Sequence, residues 1–72
     1  MVPDHETVKQ IMNEAYNKFY LKWRMEMSES NIDTMMQEAH EISHKFNCEL
    51  CNNLMANLVT CIEEEWRRRQ GL

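Results

Sequence analysis

Glycine and proline are almost missing from this 72-residue chain, which holds one of each. A β-sandwich or barrel needs turn residues at short, regular intervals, so their scarcity excludes that class and leaves an all-α fold. Long apolar runs are missing as well. None exceeds three residues, far short of the roughly 20 that a membrane-spanning helix requires. The start, Met1-Val2-Pro3-Asp4-His5-Glu6, has neither basic residues nor an apolar run, so a secretory leader is not expected and a cytoplasmic setting is. A Gly-rich phosphate loop and a Ser-nucleophile signature are both lacking. Cations are scarce through the body of the chain: residues 26–65 carry nine acids against Lys45 alone.

What is present must make one small domain. A chain of this length buries only about 60% of the surface its unfolded form exposes, so a metal, a disulfide or a partner would add much. The three cysteines are an odd number. In a reducing compartment they read as core thiols, metal ligands or redox groups before they read as disulfides. The net charge of −4 is unevenly spread. The first 25 residues are slightly basic, residues 26–65 are strongly acidic, and Arg67, Arg68 and Arg69 close the chain with positive charge. An acidic body disfavours nucleic acid and favours basic protein surfaces.

Apolar periodicity predicts three helices, over 4–27, 31–46 and 49–69, forming an antiparallel bundle. Asp4 can cap the first, in which Val8, Ile11, Met12, Ala15, Phe19 and Trp23 recur at three- and four-residue steps, widened by Tyr16, Tyr20 and Met27. Ser28-Glu29-Ser30-Asn31 breaks that pattern, and Ser30 with Asp33 resembles a capping box. Ile32, Met35, Met36, Ala39, Ile42 and Phe46 form the second stripe. Asn47 is suited to a left-handed helix end. Cys51, Leu54, Met55, Leu58, Cys61, Ile62 and Trp66 mark the third. Glu63, Glu64 and Glu65 precede Arg67, Arg68 and Arg69 by four residues, the favourable order for ion pairs along a helix.

The densest chemistry lies between the second and third helices. His40, His44, Cys48 and Cys51 have the spacing H-x-x-x-H-x-x-x-C-x-x-C. A structural zinc needs four such donors about 2.0–2.3 Å from one ion. Two histidines at i and i+4 can chelate from a helix, and two cysteines at i and i+3 can do so from a turn. One straight helix would spread the four over about 16 Å, so the site requires a break near Asn47. A zinc-stapled hairpin is one reading. Solvated histidines beside buried thiols are the other, since free cysteine packs like a small hydrophobe. Cys61 reads as core. His40-Glu41-Ile42-Ser43-His44 also matches H-E-x-x-H, but a metalloprotease needs a third ligand and a substrate cleft, and the adjacent cysteines would close the site. The C-x-x-C pair lacks the βαβ setting of a redox centre. An enzyme is not expected.

Binding readings fit more of the chain. Seven methionines supply a pliable apolar surface, with Met25, Met27, Met35 and Met36 grouped around the first loop. Beside the acidic stretch, that surface suits a basic protein partner, and covering a surface that normally holds nucleic acid is a physical route to inhibition. Trp66 followed by three arginines is the one nucleic-acid-like feature, though Trp66 reads better as a cover for the core. A homodimer would hide apolar surface left open by three helices.

The stretch Tyr16-Asn17-Lys18-Phe19-Tyr20-Leu21-Lys22-Trp23-Arg24 and the turn Asn47-Cys48-Glu49-Leu50-Cys51, in a compact acidic helical chain, resemble small helical proteins of phages and mobile elements of gut Firmicutes. That class includes anti-CRISPR inhibitors, some of them metal-binding. The likeness lies in size, charge and helical style over the whole chain, with the cysteine turn as its motif. It implies inhibition by binding a host protein, and it carries over no inhibitory residue. The alternatives are a small DNA-binding or transcription-regulating module and a homo-oligomeric structural protein.

Overall fold

The computed structural model describes residues 2–71. Three helices account for nearly all of them, and no strand occurs among the described residues. The first helix is continuous from residue 5 to 26, in three stretches of different winding: α-helical His5–Asn13, π-helical Glu14–Tyr20 and α-helical Leu21–Glu26. The second is Ile32–Phe46 and the third Glu49–Arg69.

The first helix opens as the sequence predicts. The Asp4 carboxylate accepts from the Thr7 backbone N–H at 2.8 Å, satisfying one of the free donors of the first turn. That bond holds the Asp4 carboxyl below the usual carboxylate range. Further along, its buried residues are Ile11, Ala15, Phe19, Trp23 and Met27, a strict repeat of four. An ideal α-helix turns about 100° per residue and slips roughly 40° at each step of four. The π stretch takes up that slip. Its wider turns close on bonds such as Leu21 N–H to Tyr16 C=O, five residues back, and keep the repeat on one face. Met12 and Tyr16, expected in the apolar stripe, are instead expelled to 45% and 55% exposure.

The Ser30–Asp33 capping box does not form. Asn31 takes the cap position and turns its side chain backward: Oδ1 accepts from the Ser28 N–H at 2.7 Å, and Nδ2 donates to the Glu26 carbonyl at 2.8 Å. The loop therefore fastens the end of the first helix rather than the start of the second. At the second loop Asn47 adopts left-handed φ 46°, ψ 52°, and Cys48 is extended, so the chain reverses within two residues.

Side-chain contacts set the directions. Glu14 with Lys45 (2.7 Å) and Lys22 with Glu38 (2.9 Å) run the first two helices antiparallel. The Tyr20 hydroxyl donates to Glu65 at 3.3 Å, and the Arg69 guanidinium donates to the Arg24 carbonyl, so the first and third helices run parallel. The result is an up-down-up bundle of 41 × 17 × 16 Å. Its core joins the first-helix repeat to Met35, Ala39 and Phe46, and to Cys48, Cys51, Met55, Val59 and Ile62. Trp23 also donates its indole N–H to Glu38 at 3.3 Å, so one carboxylate serves both Trp23 and Lys22.

Candidate functional site

The four predicted zinc ligands sit in two environments. His40 and His44 are both exposed on the second helix, their rings nearly parallel with centroids 6.4 Å apart. Cys48 and Cys51 are in the core at 3% and 0% exposure. The Cys51 thiol faces the Ile42 carbonyl, with Sγ 3.7 Å from the oxygen. Burial pushes that thiol above its ordinary range, assisted by the nearby Cys48 and Glu14. The break at Asn47 that a four-ligand site demands is present, yet the reversal sends the thiols inward and leaves the imidazoles in solvent. Among the described residues no three His, Cys, Asp or Glu side chains converge to hold a metal ion. The two imidazoles and the two thiols thus lie in separate surroundings, with apolar packing between the helices of the hairpin. Cys61 is half-buried on the third helix, where the sequence placed it in the core.

The outer face of the same hairpin carries an open groove of about 440 Å³. Met36, Ala39, His40 and Ser43 line it from the second helix, and Asn52, Met55, Ala56, Val59, Thr60 and Glu63 from the third. No residue of the first helix reaches it. Ala39, Ser43 and Ala56 are small, so the two backbones leave a hollow between them, floored by Met55 and Val59. Met36, predicted to be core, is 47% exposed at the groove's edge. The hollow continues toward the loop as a polar depression between His40, Ser43, His44, Asn47 and Asn52. Sequence reasoning missed this groove and also Val59, which is buried. Its signal was available as short side chains at steps of four, Ala39-Ser43 and Asn52-Ala56-Thr60.

Short of its arginine end at Arg67–Arg69, the hairpin carries mostly acidic charge. Among the described residues the ion pairs are Lys22–Glu38 and Lys45–Glu14. Glu26, Glu29, Asp33, Glu41, Glu49 and Glu64 are exposed and have no cation within pairing distance among the described residues. The predicted Glu63–Arg67, Glu64–Arg68 and Glu65–Arg69 pairs are likewise not formed. At the far end of the bundle Arg24 joins Arg68, Arg69 and Glu65 around a second depression, a grouping the linear sequence conceals. Trp66 there packs against the core, as its cover. Burial, together with the Glu65 charge, raises the Tyr20 hydroxyl above its ordinary range. No helix among the described residues is long and apolar enough to cross a membrane. No protein-family model, curated protein or solved structure matches this chain.

Proposed function

We propose that this chain is a non-enzymatic protein-binding module that docks, through the outer face of its second and third helices, on a basic surface of another protein. The observation that carries the reading is the open groove with an apolar floor on a hairpin whose exposed acids lack cation partners among the described residues. Apolar floors supply the favourable burial of an interface, and unpaired acids elsewhere on the same hairpin, with Glu63 in the groove itself, steer and select a positively charged partner. A basic surface of that kind is often one that holds nucleic acid, so docking there would exclude the nucleic acid. Inhibition of a host protein by a phage or mobile-element product, anti-CRISPR action included, is one instance. A zinc held by His40, His44, Cys48 and Cys51 belongs to this reading only in a rearranged hairpin, with the Cys48–Cys51 turn rotated out of the core.

The test is capture from nuclease-treated host lysate by the tagged protein, beside a variant carrying Asp33→Lys, Glu41→Lys and Ala56→Arg. The expected result is retention of basic nucleic-acid-binding proteins, reduced by at least about tenfold in the variant. Equal retention by the variant overturns the reading. A shift of plain duplex DNA at physiological salt would favour the DNA-binding module instead, and a stable homo-oligomer in light scattering the structural protein.

A further inference from the structure

We propose that the depression between Arg24, Arg68 and Arg69 is a binding site for a phosphate group, independent of the hairpin groove. The parallel first and third helices bring their C-terminal turns to one pole, where the first contributes the Arg24 guanidinium and the third those of Arg68 and Arg69. The depression measures about 300 Å³, and its lining is Arg24, Glu65, Arg68 and Arg69. Three like charges around one hollow repel one another, so the arrangement needs an offsetting anion.

The groups already present offset only part of that charge. The carbonyl ends of two helices carry partial negative charge, and Arg69 answers one of them by donating to the Arg24 carbonyl. Glu65 is the single acid of the lining, and its carboxylate accepts from Tyr20. Arg24 rests over the Tyr20 ring, 5.9 Å from its centroid, which aligns its planar fork without neutralising it. Arg24 and Arg68 have no carboxylate within pairing distance among the described residues. Two uncommitted forks, with a third anchored beside them, match a group carrying two charges and three oxygens better than a carboxylate with one charge and two. Trp66 is half-buried against the core and no aromatic ring lines this depression to stack on a base, so the phosphate itself is what the site recognises.

The experiment is titration of isotope-labelled protein, followed by amide NMR at low ionic strength. Inorganic phosphate, pyrophosphate, adenosine monophosphate and a short DNA duplex are the separate probes. The proteins are wild type, Arg24→Gln, Arg24→Lys, Arg68→Gln and Arg67→Gln, each checked for helicity by circular dichroism. Arg67→Gln makes the same charge change outside the depression. The expected result is saturable binding of the phosphate probes, with shifts centred on residues 24, 65, 68 and 69. Affinity should fall at least about tenfold in Arg24→Gln and Arg68→Gln, also fall in Arg24→Lys, and change less than about twofold in Arg67→Gln. Equal affinity for phosphate and adenosine monophosphate assigns recognition to the phosphate, as proposed. Absence of saturation with every probe overturns the site. So does an Arg67→Gln loss equal to that of Arg24→Gln, or duplex binding whose shifts spread evenly over all four arginines, because either reports general attraction of anions to a basic pole.

Discussion

Deleting Asn17 should leave this protein folded, whereas deleting Gln37 should unfold it, although both residues are exposed in the middle of helices. The difference follows from winding. From Ile11 to Trp23 an ideal α-helix turns about 1200°, which leaves Trp23 roughly 120° off the starting face, with Phe19 about 80° off. In that geometry Phe19 and Trp23, now 0% and 3% exposed, would leave the core. Losing a buried Phe or Trp costs about 3–5 kcal/mol each, so the pair approaches the whole stability of a typical domain, about 5–15 kcal/mol. The π stretch avoids that loss. Removing one residue from it makes the span eleven residues, about 1100°, only some 20° out of phase, and an ordinary α-helix then serves.

Asn17 itself contributes one exposed side-chain bond, to Asn13 at 2.7 Å, and little is lost with it. In the regularly wound second helix, removal of Gln37 turns Ala39, Ile42 and Phe46 by about 100° relative to Met35. Thermal melts followed by circular dichroism decide the matter. The Asn17 deletion should move the midpoint by no more than about 10 °C, given about 4–8 °C per kcal/mol for a chain of this size, and the Gln37 deletion should abolish the transition. Comparable damage from both deletions would refute the phase argument.

Replacing the buried Cys51 thiol by serine should destabilise the protein by about 1–3 kcal/mol in urea titrations, equally with chelator and with added zinc. If zinc raises the wild-type midpoint and not that of Cys51→Ser, the hairpin is metal-stapled. Because the Cys51 thiol titrates above its ordinary range, the folded state keeps a proton that the unfolded state releases. Its contribution is complete below the ordinary thiol value, about 8.5, and is lost as pH rises through the raised folded value, so Cys51→Ala should lessen alkaline destabilisation. Asp4 has the opposite sign: its carboxyl is lowered by Thr7, so its contribution holds above about pH 3.9 and fades as pH falls through the lowered value. Asp4→Asn, which keeps a capping oxygen, should flatten that acid limb. At left-handed Asn47, glycine should be neutral or stabilising and valine should cost about 1–2 kcal/mol, read from the same denaturation curves.

The helices were legible because their signals are local. Asp4 as a cap, the Ser-rich break and the left-handed Asn47 each depend on a few neighbouring residues and the backbone they favour. The π stretch was legible in principle, as the unbroken four-residue spacing of Ile11, Ala15, Phe19, Trp23 and Met27. Reading it as ordinary helix placed Met12 and Tyr16 inside. The cysteine and histidine spacing foretold the reversal but not its sense: which side of a hairpin turns inward depends on packing against the first helix, and periodicity within twelve residues carries no such information. The glutamate–arginine pairs failed for a related reason. Spacing makes them possible, while solvent screening and the pull of Tyr20 on Glu65 and of the Arg24 carbonyl on Arg69 decide where those chains rest. Arg24 as a neighbour of Arg68 is a tertiary fact, 44 positions apart in sequence.

The parallel course of the first and third helices separates the two ways out of the fold. Chain preceding Asp4 departs from one tip, and chain following Arg69 departs from the other, roughly 30 Å away at 1.5 Å per helical residue. Joining them in a circular permutant would take a connector of at least about nine extended residues. An affinity tag ahead of Asp4 therefore stands clear of the arginines, and one attached after Arg69 emerges among them.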